Sequence, residues 1–234
     1  MNPFLSNLHA FLKSAIVDHR GATHMPSDVP RWQHKSYDRM EQIPLPTPQV
    51  LDMSLVEALQ KRDSYNGGTL DPLSLERYST LLGHSLAIRP DGKYRNYPSG
   101  GSLYPVETYL IGTIEGMPSA IYHYNPSKHS LEKLWDTPEG FVLKKITRSQ
   151  ETLIFSAALI FTTVWTRSSA KYGDLAYPHI LIEAGHMAEN VVLTAAAMGI
   201  QARPFSGFKD EEIANLFDLK QHSEQMIYSI VLSI

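Results

Sequence analysis

"YRNYPSGGSLYPVETYLI", residues 94–111, interrupts an aromatic run with a proline, a serine and two glycines just before a segment of strand character, Glu107 to Thr113. Glycine is needed where a flat group must approach the backbone more closely than a Cβ allows, and the N–H groups exposed in such a turn can hydrogen-bond a ligand heteroatom. The same residues also suit an ordinary tight turn ahead of a strand. Composition alone leaves both readings open.

Downstream of this turn, "ETYLIGT", "AIYHYN" and "AALIFTTVWT" carry the β-branched and aromatic residues of strands, the last apolar enough for the middle of a sheet. A helical stretch is expected near 139–147. "YPHILIEAGHMAENVVLTAAAMGI" is the longest helix candidate, apolar on most faces and stopping at Gly199, which suits a C-cap; it is expected to be the central, buried helix. "KDEEIANLF" reads as a short helix and "QMIYSIVLSI" as a closing strand. Upstream, "SLVEALQKRDS" and "SLERYSTLLGHS" each open on serine followed by glutamate and are read as capping boxes, the signature of a helix start, predicting short helices over 54–62 and 74–83. Strands and helices interleave without a regular alternation, so the predicted class is α+β, with a mainly antiparallel central sheet flanked by helices and one long central helix.

Residues 1–50 read differently. Phe4, Leu8, Phe11, Leu12 and Ile16 have helical spacing, and a proline-rich polar stretch follows that contains Trp32, Pro46 and Pro48. This predicts an N-terminal arm for dimerisation or docking, ahead of one domain over 51–234.

The chain has 234 residues, 43% of them hydrophobic, and a formal charge of −3 from 21 basic and 24 acidic residues. That balance offers no general attraction to nucleic acid or anionic lipid. With no cysteine, thiolate metal sites, cysteine nucleophiles and iron–sulfur clusters are excluded, and any redox chemistry requires a borrowed cofactor. No run of about 18 apolar residues and no signal-peptide pattern occurs, giving the expectation of a cytoplasmic protein.

Three further local patterns bear on chemistry. "SSAK", Ser168 to Lys171, has the SxxK spacing of serine acyltransferases but lacks their companion motifs. His179, Glu183 and His186 share a helix face as metal ligands would, although three ligands from one packed helix are awkward and hydrogen-bonded structural roles are preferred. "KRDSYNGG", residues 61–68, places Arg62 and Ser64 where they can clamp a phosphate, or simply lie in solvent. No Walker loop or GxGxxG fingerprint is present.

In combination, these segments resemble the nitroreductase-like flavoprotein superfamily, and within it the azoline dehydrogenases and oxidases of microcin-type, streptolysin-type and nonribosomal peptide biosynthesis. Pro98, Ser99, Gly100, Gly101, Leu103, Tyr104, Pro105, Glu107 and Tyr109 fit that branch's PSxGxLYPxE(x)Y element. Lys171 and Tyr172 match its Lys-Tyr pair, "EAGHMAEN" at 183–190 its long-helix motif, and Glu224 its acidic residue before the last strand. The resemblance covers about residues 54–234, and several spaced motifs in one order weigh more than any one of them. Asp63 and Asn66 stand where arginines are common, an arginine is missing after the Lys-Tyr pair, and Glu189 replaces a glutamine.

The resemblance implies an FMN enzyme built as a homodimer with flavin sites between the subunits. Arg62 and Ser64 would hold the phosphate, with Arg203 a candidate helper. Pro98, Ser99, Gly100, Gly101 and Leu103 would approach the flavin ring, with Glu183, Gly185 and Asn190 completing the site from the long helix. The implied reaction turns a thiazoline or oxazoline into a thiazole or oxazole: FMN N5 accepts a hydride while Lys171, assisted by Tyr172, removes a proton from the neighbouring carbon. Free lysine titrates near about 10.4, so such a base needs desolvation or nearby positive charge. Dioxygen is the implied electron acceptor, and the substrate is expected to be presented by a synthetase carrier domain or a peptide-modifying complex. The rival expectations are an NAD(P)H-dependent nitro or quinone reductase and a catalytically idle scaffold of a biosynthetic complex.

Overall fold

The computed structural model describes residues 6–8, 10, 11, 13, 34–64, 68–148, 154–219 and 224–234. Its frame is a seven-stranded sheet in the order β1-β4-β3-β2-β5-β7-β6, antiparallel at every pairing. The strands are β1 Glu41–Pro44, β2 Val106–Gly112, β3 Ala120–Asn125, β4 Ser130–Asp136, β5 Ala157–Val164, β6 Gln201–Pro204 and β7 Glu224–Ser233. The helices are α1 Leu55–Lys61, α2 Leu75–Ser85, α3 Trp165–Tyr172, α4 Ala176–Ala197 and α5 Asp210–Leu216.

The central strands lack polar–apolar alternation because both faces of the sheet are covered; every residue of β2 and β3 is buried. On one face Leu110, Leu159, Phe161 and Ile230 pack with Ile180, Met187 and Val191 of α4. On the other, Tyr109, Ile111, Ile160 and Val231 pack with Phe205, Phe208 and Phe217. Each such side chain contributes about 1.5–3 kcal/mol by leaving water. The predicted central helix is α4, and Gly199 takes φ +64 just beyond it, as a C-cap glycine should.

Several expectations need correction. Ser54 and Glu57 form the reciprocal capping box, but at α2 Ser74 accepts from Arg77 N–H without forming the box, because Glu76 sits one position before the third helical residue. The stretch near 139–147 is helical only as a 3-10 turn, Leu143–Ile146. The strand over "AALIFTTVWT" ends at Val164, and Trp165 already opens α3. Strands β1, β4 and β6 carry no strong sequence signal; β4 pairs along β3 and β6 along β7, so tertiary pairing makes them strands.

Within the stretch expected as an arm, residues 6–8, 10, 11 and 13 are helical, whereas Trp32 lies outside the described residues, as does Asn66 of the "KRDSYNGG" stretch. The end of that stretch joins the domain: β1 pairs with β4, and Ile43 and Leu45 are buried in the core. No described helix is long and apolar enough to cross a membrane.

Candidate active site

The glycine turn leads into β2, and β5, its neighbour, runs directly into α3, so the sheet brings the turn and α3 together. Gly101 has φ +64, a region open to glycine at little cost. A Cβ there would lie 2.3 Å from Lys171 Nζ and 2.7 Å from Tyr172 Oη. The space beside Gly101 is thus held by the lysine amine and the tyrosine hydroxyl, and the glycine lets both close onto the turn. The amine also lies 4.8 Å from the centre of the Tyr172 ring. A Cβ at Gly100 would meet His179 and Tyr172 at 3.8 Å, which is ordinary contact.

The N-terminal half of α4 forms the opposite wall. Ser99 Oγ donates to Glu183 Oε2 at 2.6 Å and accepts from Tyr104 N–H at 3.0 Å. Glu183 is buried, which pushes its carboxyl up to about 7 against the Ser99 hydrogen bond and the charge of Arg95. Its other oxygen, Oε1, is buried and unpartnered, as is Nδ1 of His179, one helical turn earlier. The His179 ring stands edge-on to Tyr172, with centroids 4.9 Å apart. Buried polar atoms are nearly always hydrogen-bonded, so these two leave hydrogen-bonding capacity beside the turn for a polar group to meet.

The remaining expected residues are spread more widely. Leu103 is buried, Pro98 exposed, and Gly185 open to solvent with nothing near a Cβ built there. Asn190 donates to the carbonyls of Ser85 and Asn96, tying α2 and the segment before the turn to α4. Arg62 donates to Ser64 at 3.3 Å. Lys61 and Asp63, on either side of Arg62, line a cleft of about 190 Å³ with Val192, Ala196, Gly199 and Ala202, and Arg203 follows on β6. Arg62, Ser64 and Arg203 therefore sit near the C-terminal end of α4, about 20 Å along the helix from Glu183. Among the described residues no group of histidine and acidic side chains is placed to hold a metal, His179, Glu183 and His186 included.

Sequence reasoning gave no role to Arg167 or His123, and placed Glu107 only in a motif. Arg167 is buried and donates to Glu107 Oε1 at 2.6 Å and to the Tyr104 carbonyl at 3.2 Å. Behind it, His123 lies between Glu107 and Glu132 at 3.0 and 2.8 Å. For Glu107 and His123 the available signal was charge inside otherwise apolar strands, because a buried ion persists only when partnered.

The sequence matches the model of the nitroreductase family over residues 59–232. It is 28% identical over 177 residues to the candidate nitroreductase MJ1384 of Methanocaldococcus jannaschii, covering 75% of this chain and 89% of that protein. It is 27% identical over 159 residues to the microcin B17-processing protein McbC of Escherichia coli, covering 64% of this chain and 58% of McbC, so the match spans little more than half of that relative. A crystal structure of a candidate nitroreductase from Ralstonia eutropha JMP134 superposes with a TM-score of 0.70 at 25% identity, covering 87% of this chain and 93% of that one. Because the family match runs from within α1 through the glycine turn, α3 and α4 into β7, the chain belongs to the nitroreductase family.

Proposed function

We propose that this protein is an FMN-dependent oxidase that converts a thiazoline or oxazoline into a thiazole or oxazole in peptide natural-product biosynthesis. The observation that carries the reading is the convergence of the Lys171 amine and the Tyr172 hydroxyl on Gly101, in front of the unpartnered Glu183 Oε1 and His179 Nδ1. The isoalloxazine of FMN fits these residues: it is flat, and its edge carries both N–H and C=O groups. Glu183, titrating near 7, can accept or donate a hydrogen bond there. Ser99, Gly100 and Gly185 would line the ring's approach, with Pro98 and Leu103 shaping the turn.

FMN, when bound, supplies the two-electron acceptor for the hydride that leaves the azoline ring. Lys171 Nζ takes the proton from the adjacent ring carbon, so the substrate loses a hydride and a proton and becomes aromatic. Tyr172 orients the amine, and the Ser99–Glu183 hydrogen bond steadies the turn beneath both. Dioxygen would be the final acceptor, taking up the two electrons and two protons removed from the ring as hydrogen peroxide. The similarity to a microcin B17-processing protein supports a substrate carried on a peptide, presented by a carrier domain or by a peptide-modifying complex.

The distribution of residues supports a homodimer. Arg62, Ser64 and Arg203 suit a phosphate yet lie near the far end of α4 from the turn, so a second copy is needed to bring a phosphate site opposite a ring site. Leu55, Val56 and Leu59 on α1, and Tyr177, Leu181 and Ile182 on α4, are exposed apolar side chains suited to such an interface.

The test is an absorbance spectrum of the purified protein, followed by oxygen uptake with a synthetic thiazoline thioester. Flavin bands with oxygen consumed and thiazole formed are expected, and flavin without turnover of that substrate would overturn the oxidase reading. The similarity to MJ1384 favours a second reading, NAD(P)H-dependent reduction of a nitro or quinone substrate. NADH consumption with a nitroarene that survives Lys171→Ala would select it.

A further inference from the structure

We infer that Arg167 is a positioning residue: anchored by Glu107, it grips the Tyr104 carbonyl and so sets the glycine turn against Lys171 and Tyr172. This rests on the reading of Lys171 as the proton acceptor. Arg167 and Lys171 are four apart on α3, so both side chains leave the same helix face, about 6 Å apart along the axis. The turn crosses that face twice. Tyr104 meets Arg167 through its carbonyl, and Gly101 meets the Lys171 amine one helical turn further on.

The turn needs such a grip. Besides Gly101, Ser102 and Tyr104 take φ of 57 and 47, a region that side-chain-bearing residues hold only when their surroundings enforce it. Tyr104 is restrained on several sides: its N–H by Ser99, its hydroxyl by Arg95 N–H, its ring by the Arg95 guanidinium at 4.7 Å and its carbonyl by Arg167. Of these, only the Arg167 contact joins the turn to the helix that carries the amine. Glu107 in turn accepts from Arg167, His123 and the Lys35 N–H, so the anchor is itself fixed by the sheet and by the segment leading to β1.

The experiment uses the flavin-loaded full chain and the double variant Glu107→Gln/Arg167→Met. The double change removes both charges of the pair at once; the Gln oxygen can still accept from the Lys35 N–H, and its NH2 can donate to Nε2 of a neutral His123 whose Nδ1–H stays on Glu132. Acetylation of Lys171 by an N-hydroxysuccinimide ester is measured by peptide mass spectrometry against the exposed Lys144, beside kcat and KM for the thiazoline thioester. The expected result is a shift of about fivefold or more in the Lys171:Lys144 ratio and a loss of about 100-fold in kcat, with KM changed little and flavin retained, as displacement of a reacting group by an ångström produces. Arg167→Lys keeps a cation on Glu107 but loses the guanidinium fork, and is expected to shift the ratio in the same direction by a smaller factor. A folded variant of either kind with Lys171 labelling unchanged from the parent overturns the inference. If the parent itself fails to turn over the thioester, the oxidase reading falls, while the labelling ratio still decides whether Arg167 sets the turn against α3.

Discussion

Two buried polar clusters lie on either side of the Arg167 contact, and they are built on opposite terms. In the sheet, Glu107 and Glu132 enclose His123, while Glu224 accepts from Lys35, Tyr109 and Thr162. Burial alone would raise Glu107 and Glu132, but His123 holds both at about 2, helped at Glu107 by Arg167 and Arg95 and at Glu132 by Asn125 and Tyr37 N–H. Burial would lower His123, and the two carboxylates raise it instead. Beside the turn, Glu183 is just as buried, yet its direct partner is one serine hydroxyl, and burial prevails, pushing it up to about 7. One residue type, equally buried, is a fixed anion in one cluster and a titrating acid with a vacant oxygen in the other. Burial sets the cost of the charge, and the partners decide whether it is met. The first cluster has its hydrogen-bonding groups satisfied, and the second leaves Glu183 Oε1 and His179 Nδ1 unpartnered.

The two clusters should therefore fail differently. The largest expected effect is on chemistry: Lys171→Ala should lower kcat for the thiazoline thioester by about 1,000-fold with flavin content unchanged. Flavin loss parallel to activity would assign Lys171 to binding instead. Next, Glu132→Ala should cost about 3–5 kcal/mol in urea unfolding, because it leaves His123 short of a buried partner. A cost below about 1 kcal/mol would mean that the sheet cluster is not framework. Gly101→Ala should destabilise by about 1–2 kcal/mol from its backbone conformation, and its methyl should displace the amine, so kcat should fall by more than flavin affinity does.

Per pH unit the smallest expected effect is a dependence on pH, and its sign separates the clusters. Glu183 is raised above its ordinary 4.5, so between pH 4.5 and about 7 the folded flavin-free protein keeps a proton that the unfolded chain has released. Its contribution to stability therefore falls as pH rises through that window, by about 1.4 kcal/mol per pH unit at most, and Glu183→Gln should remove that slope. Glu107 and Glu132 act in the opposite sense: their contribution is present above 4.5 and is lost as pH falls towards 2. Unfolding curves of parent and Glu183→Gln that keep the same slope from pH 5 to 7 would place the titrating group elsewhere.

Much of the frame was legible because it is local. The capping box at Ser54 and Glu57, the unbroken apolar run of β5 and the C-cap at Gly199 are consequences of residues a few positions apart. β1, β4 and β6 were not legible, because their residues become strands by pairing with partners far along the chain. α3 was hidden for a related reason: its first residue, Trp165, reads as the end of the preceding strand, and it stacks on Tyr177 of α4 at 5.5 Å.

The candidate site divides in the same way. By itself the sequence determined which chemistry was available: a glycine turn, the Lys171-Tyr172 pair, an acid on a long helix and no thiol. Only the tertiary structure decided that Gly101 makes room for Lys171 and Tyr172, that Glu183 and His179 each keep an atom unpartnered, and that Arg62 and Ser64 lie near the far end of α4. Residue type and spacing fix what a side chain can donate or accept. Which groups are taken out of water together, and which of them then lack a partner, depends on contacts between segments that the chain keeps far apart until it folds.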